Sequence, residues 1–176
     1  MVILVDEKDR ATGCMEKIEA HRKALLHRAF SVLIFNSNGE MLIQQRALDK
    51  YHSPGLWTNT CCSHPCPGEK AREGAQRRLK EEMGMEEELT FLFKFIYKAP
   101  FENGLTEHEM DHVFIGKSDI LPEINPSEAA AYRYMTLEEI RKDMQENPRK
   151  YTVWFRILIE KHYMQLSSSL KNLSNV

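Results

Sequence analysis

Residues 63–85 read SHPCPGEKAREGAQRRLKEEMGM, and their spacing decides the fold. At 100° per residue, Ala71, Ala75, Leu79 and Met83 fall on one stripe of a helix spanning 69–83. Gly84 follows as a C-terminal stop. Glu82 lies within the apolar stripe and Arg78 at its edge. An i, i+4 Arg/Glu pair is ordinarily a solvated surface pair, whereas a charge turned toward a core requires a partner or a ligand. On the residues alone both readings stand. Arg72 also borders the stripe, but in the first turn, where its head can snorkel to water.

Outward from this helix the pattern is rich in strands. Upstream, residues 26–35 and 41–45 are β-rich, Asn36-Ser37-Asn38-Gly39 between them reads as a hairpin turn, and a short strand precedes them at 2–5. Residues 47–68 combine Pro, Gly, Ser, Thr, Cys and Trp without periodicity and read as a long ordered loop, a kind of segment usually kept for function. Downstream, strands are expected at 89–99, 109–117 and 130–135. A helix follows Thr136, and a longer one spans 151–170. The class is α/β with α+β layering, a single domain over 1–176 with the last ten residues frayed.

A chain of 176 residues can bury one sizeable core without disulfides. With 24 Lys+Arg against 26 Asp+Glu there is no global field to attract nucleic acid or an anionic membrane, so an anionic substrate has to be held by local basic residues. The opening Met-Val-Ile-Leu-Val run is too short for a signal peptide, so a cytoplasmic protein is expected; the sequence does not give the oligomeric state, and a monomer is the default. Cys14, Cys61, Cys62 and Cys66 are expected as reduced thiols.

Residues 63–85 resemble the Nudix box, G-x5-E-x7-R-E-U-x-E-E-x-G-U with U aliphatic. They match it at Glu69, Arg77, Leu79, Glu81, Glu82, Gly84 and Met85. The resemblance implies a Nudix-like fold, a mixed central sheet flanked by helices. Ser63 departs from the first glycine of the box, and Arg78 replaces a glutamate that binds the catalytic metal in Nudix hydrolases. Replacing a metal-ligand carboxylate by a guanidinium disables Mg²⁺-assisted hydrolysis and offers a good diphosphate contact. The loop segment Pro54-Gly-Leu-Trp57-Thr-Asn-Thr-Cys-Cys62-Ser-His64-Pro65, with Arg46-Ala-Leu-Asp-Lys50 and Leu26-His27-Arg28-Ala29-Phe30-Ser31, is similar to type I isopentenyl diphosphate isomerases. The W-T-N-x-x-C-x-H-P signature is complete, and the likeness extends from about residue 3 to residue 155.

That resemblance implies an isomerase of isoprenoid biosynthesis acting on a small-molecule diphosphate, isopentenyl or dimethylallyl diphosphate. Cys62 and Glu109, the latter assisted by Tyr97, are its proton-transfer groups, and Trp154 stabilises a carbocation. Lys17, Arg46, Lys50 and Arg78 hold the diphosphate. His21, His27, His64, Glu107 and Glu109 bind one divalent metal, with the mixed N/O chemistry of Mn, Mg or Zn. A second Mg²⁺ arrives with the substrate diphosphate and Glu82. Glu107 and Glu109, two apart on a strand, share a face. Three other readings compete: a Nudix diphosphohydrolase, a zinc module built from Cys61, Cys62, His64 and Cys66, and, for Trp154, a core residue of an amphipathic helix.

Overall fold

The computed structural model describes residues 1–101 and 103–174. In chain order the strands are β1 (Val2–Val5), β2 (Ala11–Met15), β3 (His27–Phe35), β4 (Glu40–Arg46), β5 (Trp57–Thr58), β6 (Cys61–Ser63), β7 (Thr90–Pro100), β8 (Thr106–Lys117) and β9 (Ala129–Thr136). Helix α1 (Lys17–Arg22) lies between β2 and β3, α2 (Ala71–Met83) between β6 and β7, and α3 (Leu137–Glu146) and α4 (Val153–Ser174) follow β9. Strand β3 runs parallel to β8 along its whole length, while β7 pairs with β8 and β9 with β4 in antiparallel register. The mixed sheet flanked by helices is the architecture expected from the sequence.

Nearly all of β3 is buried, because helices cover both of its faces. Phe30, Val32 and Ile34 pack with Leu42 and Phe114 under Ala75, Leu79 and Met83 of α2, the stripe expected from the sequence. On the opposite face Leu33, Phe35, Met41, Ile43, Val113 and Ile115 meet Trp154, Phe155, Leu158 and Ile159 of α4. Helix α2 stops where Gly84 enters the left-handed region at φ 65°, with its N–H on the Lys80 carbonyl. Within the Nudix-box match, Glu69 accepts from Arg77 Nε at 2.8 Å and from the Cys66 N–H at 2.8 Å, clamping the loop onto the helix.

The chain refines the sequence reading in several places. The 47–68 loop contains β5 and β6, and it acts as a wedge. Strands β3 and β4 pair at Phe35 and Met41, beyond which Thr60 stands between them: its Oγ1 accepts from the Ile34 N–H at 2.9 Å and donates to the Leu42 carbonyl at 2.5 Å. Asn59 Nδ2 donates to the carbonyls of Val32 and Cys61. Side chains thus replace ladder bonds that splayed strands cannot make, which explains why Thr58, Asn59 and Thr60 are buried polar residues. Strand β2 and helix α1 lay outside the sequence expectation, and α2 begins at Ala71 rather than 69. Helix α4 continues to Ser174, where a frayed tail was expected; residues 175 and 176 lie outside the described residues. Among the described residues no helix is long and apolar enough to cross a membrane.

Candidate active site

Register builds the site. In the β3/β8 pairing His27 stands beside Glu109, and in the β7/β8 pairing Tyr97 stands on the other side of Glu109. Successive strand residues alternate faces, so Glu107, Glu109 and Asp111 share the face of Val113 and Ile115, the one covered by α4. The same rule separates the adjacent cysteines. Cys62 lies opposite Ser31 and lines the pocket, whereas Cys61 lies opposite Val32 and is sealed in the core under α2. All four cysteines are free thiols.

His21 from the end of α1, His27 from the start of β3 and His64 just after β6 converge with Glu109, their ligand atoms all within 4.8 Å of one another. Glu109 Oε1 lies 2.9 Å from His64 Nε2, 3.4 Å from His27 Nε2 and 3.8 Å from His21 Nε2. His27 Nδ1 sits 2.8 Å from the Leu25 carbonyl, so it carries the proton and, in the neutral ring, Nε2 presents a lone pair. A lone pair facing a carboxylate oxygen needs a cation between them. His27 Nε2 and both ring nitrogens of His21 are buried with no hydrogen-bond partner. The donor set and its orphaned nitrogens fit a divalent metal. Glu107 stands outside this tight group of four. It is joined to Glu109 through Tyr97, whose hydroxyl is 2.6 Å from Glu109 Oε2 and 3.0 Å from Glu107 Oε2.

Burial sets the charges. Desolvation and the charge of Glu109 hold Glu107 well above the usual carboxylate range. Burial opposes ionisation of Glu109 too, but the imidazoles crowded round its carboxyl, His64 foremost, hold it well below that range. The pair therefore keeps its proton on Glu107. Burial pushes the Cys62 thiol up to about 12, with Arg46 partly opposing, so at neutral pH Cys62 is a thiol able to give a proton. The His64 ring is pushed down to about 3 by burial despite Glu109, which leaves it neutral and free to ligate.

Cys62, Tyr97, Glu107, Glu109, Trp154, Lys17 and Arg46 line one pocket together with Phe30, Ser31, His52, Ser63 and His64. Beside it, Lys17, Arg46, Lys50 and Arg78 converge on a polar cleft that shares Lys17, Arg46, Cys62 and Ser63 with the first. All four basic residues singled out from the sequence meet there. Glu82 lies in this cleft, away from the histidines: Oε2 accepts from Gln44 Nε2 at 2.8 Å, and Oε1 from Arg78 Nη2 at 2.7 Å. Trp154 is both core and pocket. It is 5% exposed in the α4 core, its indole Nε1 donates to Thr58 Oγ1 at 2.9 Å, and Arg46 Cζ stands 5.3 Å from its ring. Sequence reasoning missed His52, in the pocket wall, and Glu128, which holds Lys50 Nζ at 2.5 Å and Arg78 Nη2 at 3.1 Å.

This sheet, its box helix and the flanking helices define a Nudix-type domain, and the family model described as NUDIX domain matches residues 25–155. Solved structures agree on the fold: a Deinococcus radiodurans protein, DR0079, superposes with a TM-score of 0.77 at 22% identity over 92% of this chain and 98% of its own. A MutT protein from Methanosarcina mazei superposes with a TM-score of 0.65 at 20% identity, over 80% of this chain and 94% of its own. More specifically, the chain belongs to the isopentenyl-diphosphate Delta-isomerase family. It is 53% identical to the isopentenyl-diphosphate Delta-isomerase of Pectobacterium atrosepticum, over 89% of this chain and 87% of the relative. The protein of the same name from Burkholderia multivorans is 47% identical over 91% of each chain.

Proposed function

We propose that this protein interconverts isopentenyl diphosphate and dimethylallyl diphosphate by protonation and deprotonation through a tertiary carbocation. The observation that carries the reading is the sharing of Cys62 between the pocket containing Glu109 and the cleft where four basic residues converge. A five-carbon hydrocarbon end fits the first and a diphosphate the second. Moving the double bond from C3–C4 to C2–C3 delivers one proton to C4 and removes another from C2, so two proton-transfer groups are required. Cys62 supplies one and Glu109, with Tyr97 bridging it to the protonated Glu107, the other.

An alkene is a very weak base, so its acid has to touch the carbon in a site closed to water. Cys62, a half-buried neutral thiol, and the Tyr97–Glu107 pair keep protons there, while the ionised Glu109 is occupied by the imidazoles around it. The indole of Trp154 offers a π-face to the positive charge at C3. His21, His27, His64 and Glu109 would hold a Mn, Mg or Zn ion, which when bound adds positive charge that tunes the carboxyl of Glu109. Glu107 adjoins this shell through Tyr97. Glu82, at the side of the cleft lined by Arg78, would meet a second Mg²⁺ bound to the diphosphate, which would add positive charge there.

Incubation of metal-loaded protein with isopentenyl diphosphate, following dimethylallyl diphosphate and released phosphate together, tests the reading. Dimethylallyl product without phosphate supports isomerisation; phosphate release without allylic product would instead identify a hydrolase on the same fold.

A further inference from the structure

His52 belongs to none of the groups assigned above, yet its ring sits where three of them meet. Its side chain is about nine-tenths buried and faces the pocket. The ring lies stacked on Phe101, with centroids 5.4 Å apart and planes at 23°, and edge-on to Trp154 at 5.7 Å and 85°. Its Nε2 is 3.9 Å from Glu107 Oε1, the carboxyl oxygen not taken by Tyr97. Its Nδ1 is buried without a hydrogen-bond partner. An imidazole in such surroundings is held by its ring contacts, because edge-to-face and offset aromatic pairs contribute more here than a nitrogen at 3.9 Å.

The backbone around His52 is tied to the diphosphate cleft. Arg46 Nη2 donates to the His52 carbonyl and Arg46 Nε to the Ser53 carbonyl, each at 3.2 Å. The segment turns through positive φ at Ser53 (49°) and Gly55 (69°), and Lys50 sits two residues before His52. Arg46, Lys50 and His52 are therefore one short piece of chain, gripping the cleft at one point and the indole at another. Trp154, in turn, is held at its nitrogen by Thr58, over its ring by Arg46 and in a T-shaped contact by His52.

We propose that His52 is a positioning residue of the isomerisation, fixing the Trp154 indole against the pocket from the segment that carries Arg46 and Lys50. The inference rests on the isomerase reading of this pocket. A residue with this role acts on the chemical step and leaves the diphosphate contacts in place, so it changes kcat far more than KM.

Three variants in metal-loaded protein decide it: His52→Ala, which removes the ring; His52→Phe, which keeps the ring without nitrogens; and His52→Gln, which keeps a donor without the ring. His52→Ala is expected to lower kcat about tenfold with KM within about twofold, His52→Phe to recover most of that loss, and His52→Gln to behave like Ala. Acrylamide quenching of Trp154 in a Trp57→Phe background adds a readout independent of turnover: quenching rises with His52→Ala and returns with His52→Phe. The proposal is overturned if kcat stays within twofold in His52→Ala, if kcat and metal content fall together, or if Phe gives no recovery in kcat and quenching. Should the parent protein form no dimethylallyl diphosphate, the isomerase reading fails first, and unchanged quenching in His52→Ala would still sink the positioning role.

Discussion

His64 Nε2 lies 2.9 Å from Glu109 Oε1, although 45 residues separate them in the chain. The wedge of Thr58, Asn59 and Thr60 brings them together by docking β6 against β3 beside the strand that carries Glu109. Histidines and a carboxylate this close can hold one ion as a single shell, in which prying any ligand loose would weaken the rest. Stripping the protein with a chelator is therefore expected to abolish isomerisation, and re-addition of Mn²⁺, Mg²⁺ or Zn²⁺ to restore it. Metal bound at a hundredfold its dissociation constant stabilises the folded state by about 2.7 kcal/mol, so the melting temperature of the stripped protein should rise on titration and rise much less in His27→Ala. Full turnover by metal-free protein would refute this role.

Opposite orientation of two neighbouring thiols gives a sharper test. Cys62→Ala removes the pocket thiol and is expected to abolish turnover with little change in melting temperature. Cys61 is 0% exposed beneath α2, so Cys61→Ala keeps its activity while losing about 1 kcal/mol of stability from a small core void. Cys66 is exposed, and Cys66→Ala should resemble the parent in both measurements. Equal loss of turnover in all three would return the zinc-module reading.

Much of this arrangement was legible in the sequence wherever periodicity or spacing carried it. The α2 stripe is a 3.6-residue pattern, and Glu107 and Glu109 fall on one face because a strand has period two. Both Arg78 and Glu82 were conspicuous because charge stood on an apolar stripe, and they do face each other inside the cleft. Helix α1 has six residues, too short for a period to show. Strand β2 is largely exposed and contains Gly13, so no alternation marks it. His52 sits in a Pro/Gly/Ser stretch where position depends on loop closure, and Glu128 finds Lys50 across 78 residues. Such contacts arise from topology and leave no local signal.

Arg78 is engaged before any ligand arrives. Nε and Nη2 donate to Glu82, Nη1 donates to Glu81, and Nη2 also meets Glu128. A guanidinium braced by three carboxylates is aimed and not adrift, and the diphosphate adds to that charge network. Arg78→Ala is expected to raise KM for isopentenyl diphosphate about tenfold, and to reduce the competitive effect of inorganic pyrophosphate to match. An unchanged KM and unchanged pyrophosphate inhibition would leave Arg78 a helix-surface ion pair.

Gly84 tests the box helix rather than the chemistry. At φ 65° its missing Cβ would stand 2.7 Å from the Glu123 carbonyl oxygen, a backbone atom held in place by the Glu123 N–H on the Met83 carbonyl. Gly84→Ala is therefore expected to cost about 1–3 kcal/mol in denaturant unfolding. A variant as stable as the parent would mean that the turn relaxes freely.

Trp154 carries the last test, because the cation-stabilising and core roles make different demands on its replacements. A π-face near a carbocation attracts it electrostatically, and an aliphatic side chain of similar size does not. If the indole stabilises positive charge at C3, Trp154→Phe should keep part of the activity and Trp154→Leu much less. A cation–π contribution of about 2 kcal/mol in a desolvated pocket corresponds to about a thirtyfold gap in kcat between the two. Both variants lose the indole N–H on Thr58 Oγ1, but Thr58 keeps its partners Thr152, at 3.0 Å, and Asn59, so that loss is common and cancels in the comparison. Because Trp154 also packs in the α4 core, melting temperatures have to be followed for each, and truncation of a buried aromatic costs stability by itself. Equal activity in the Phe and Leu variants, or losses that follow stability alone, would assign Trp154 to packing and make Trp57 the next indole to test.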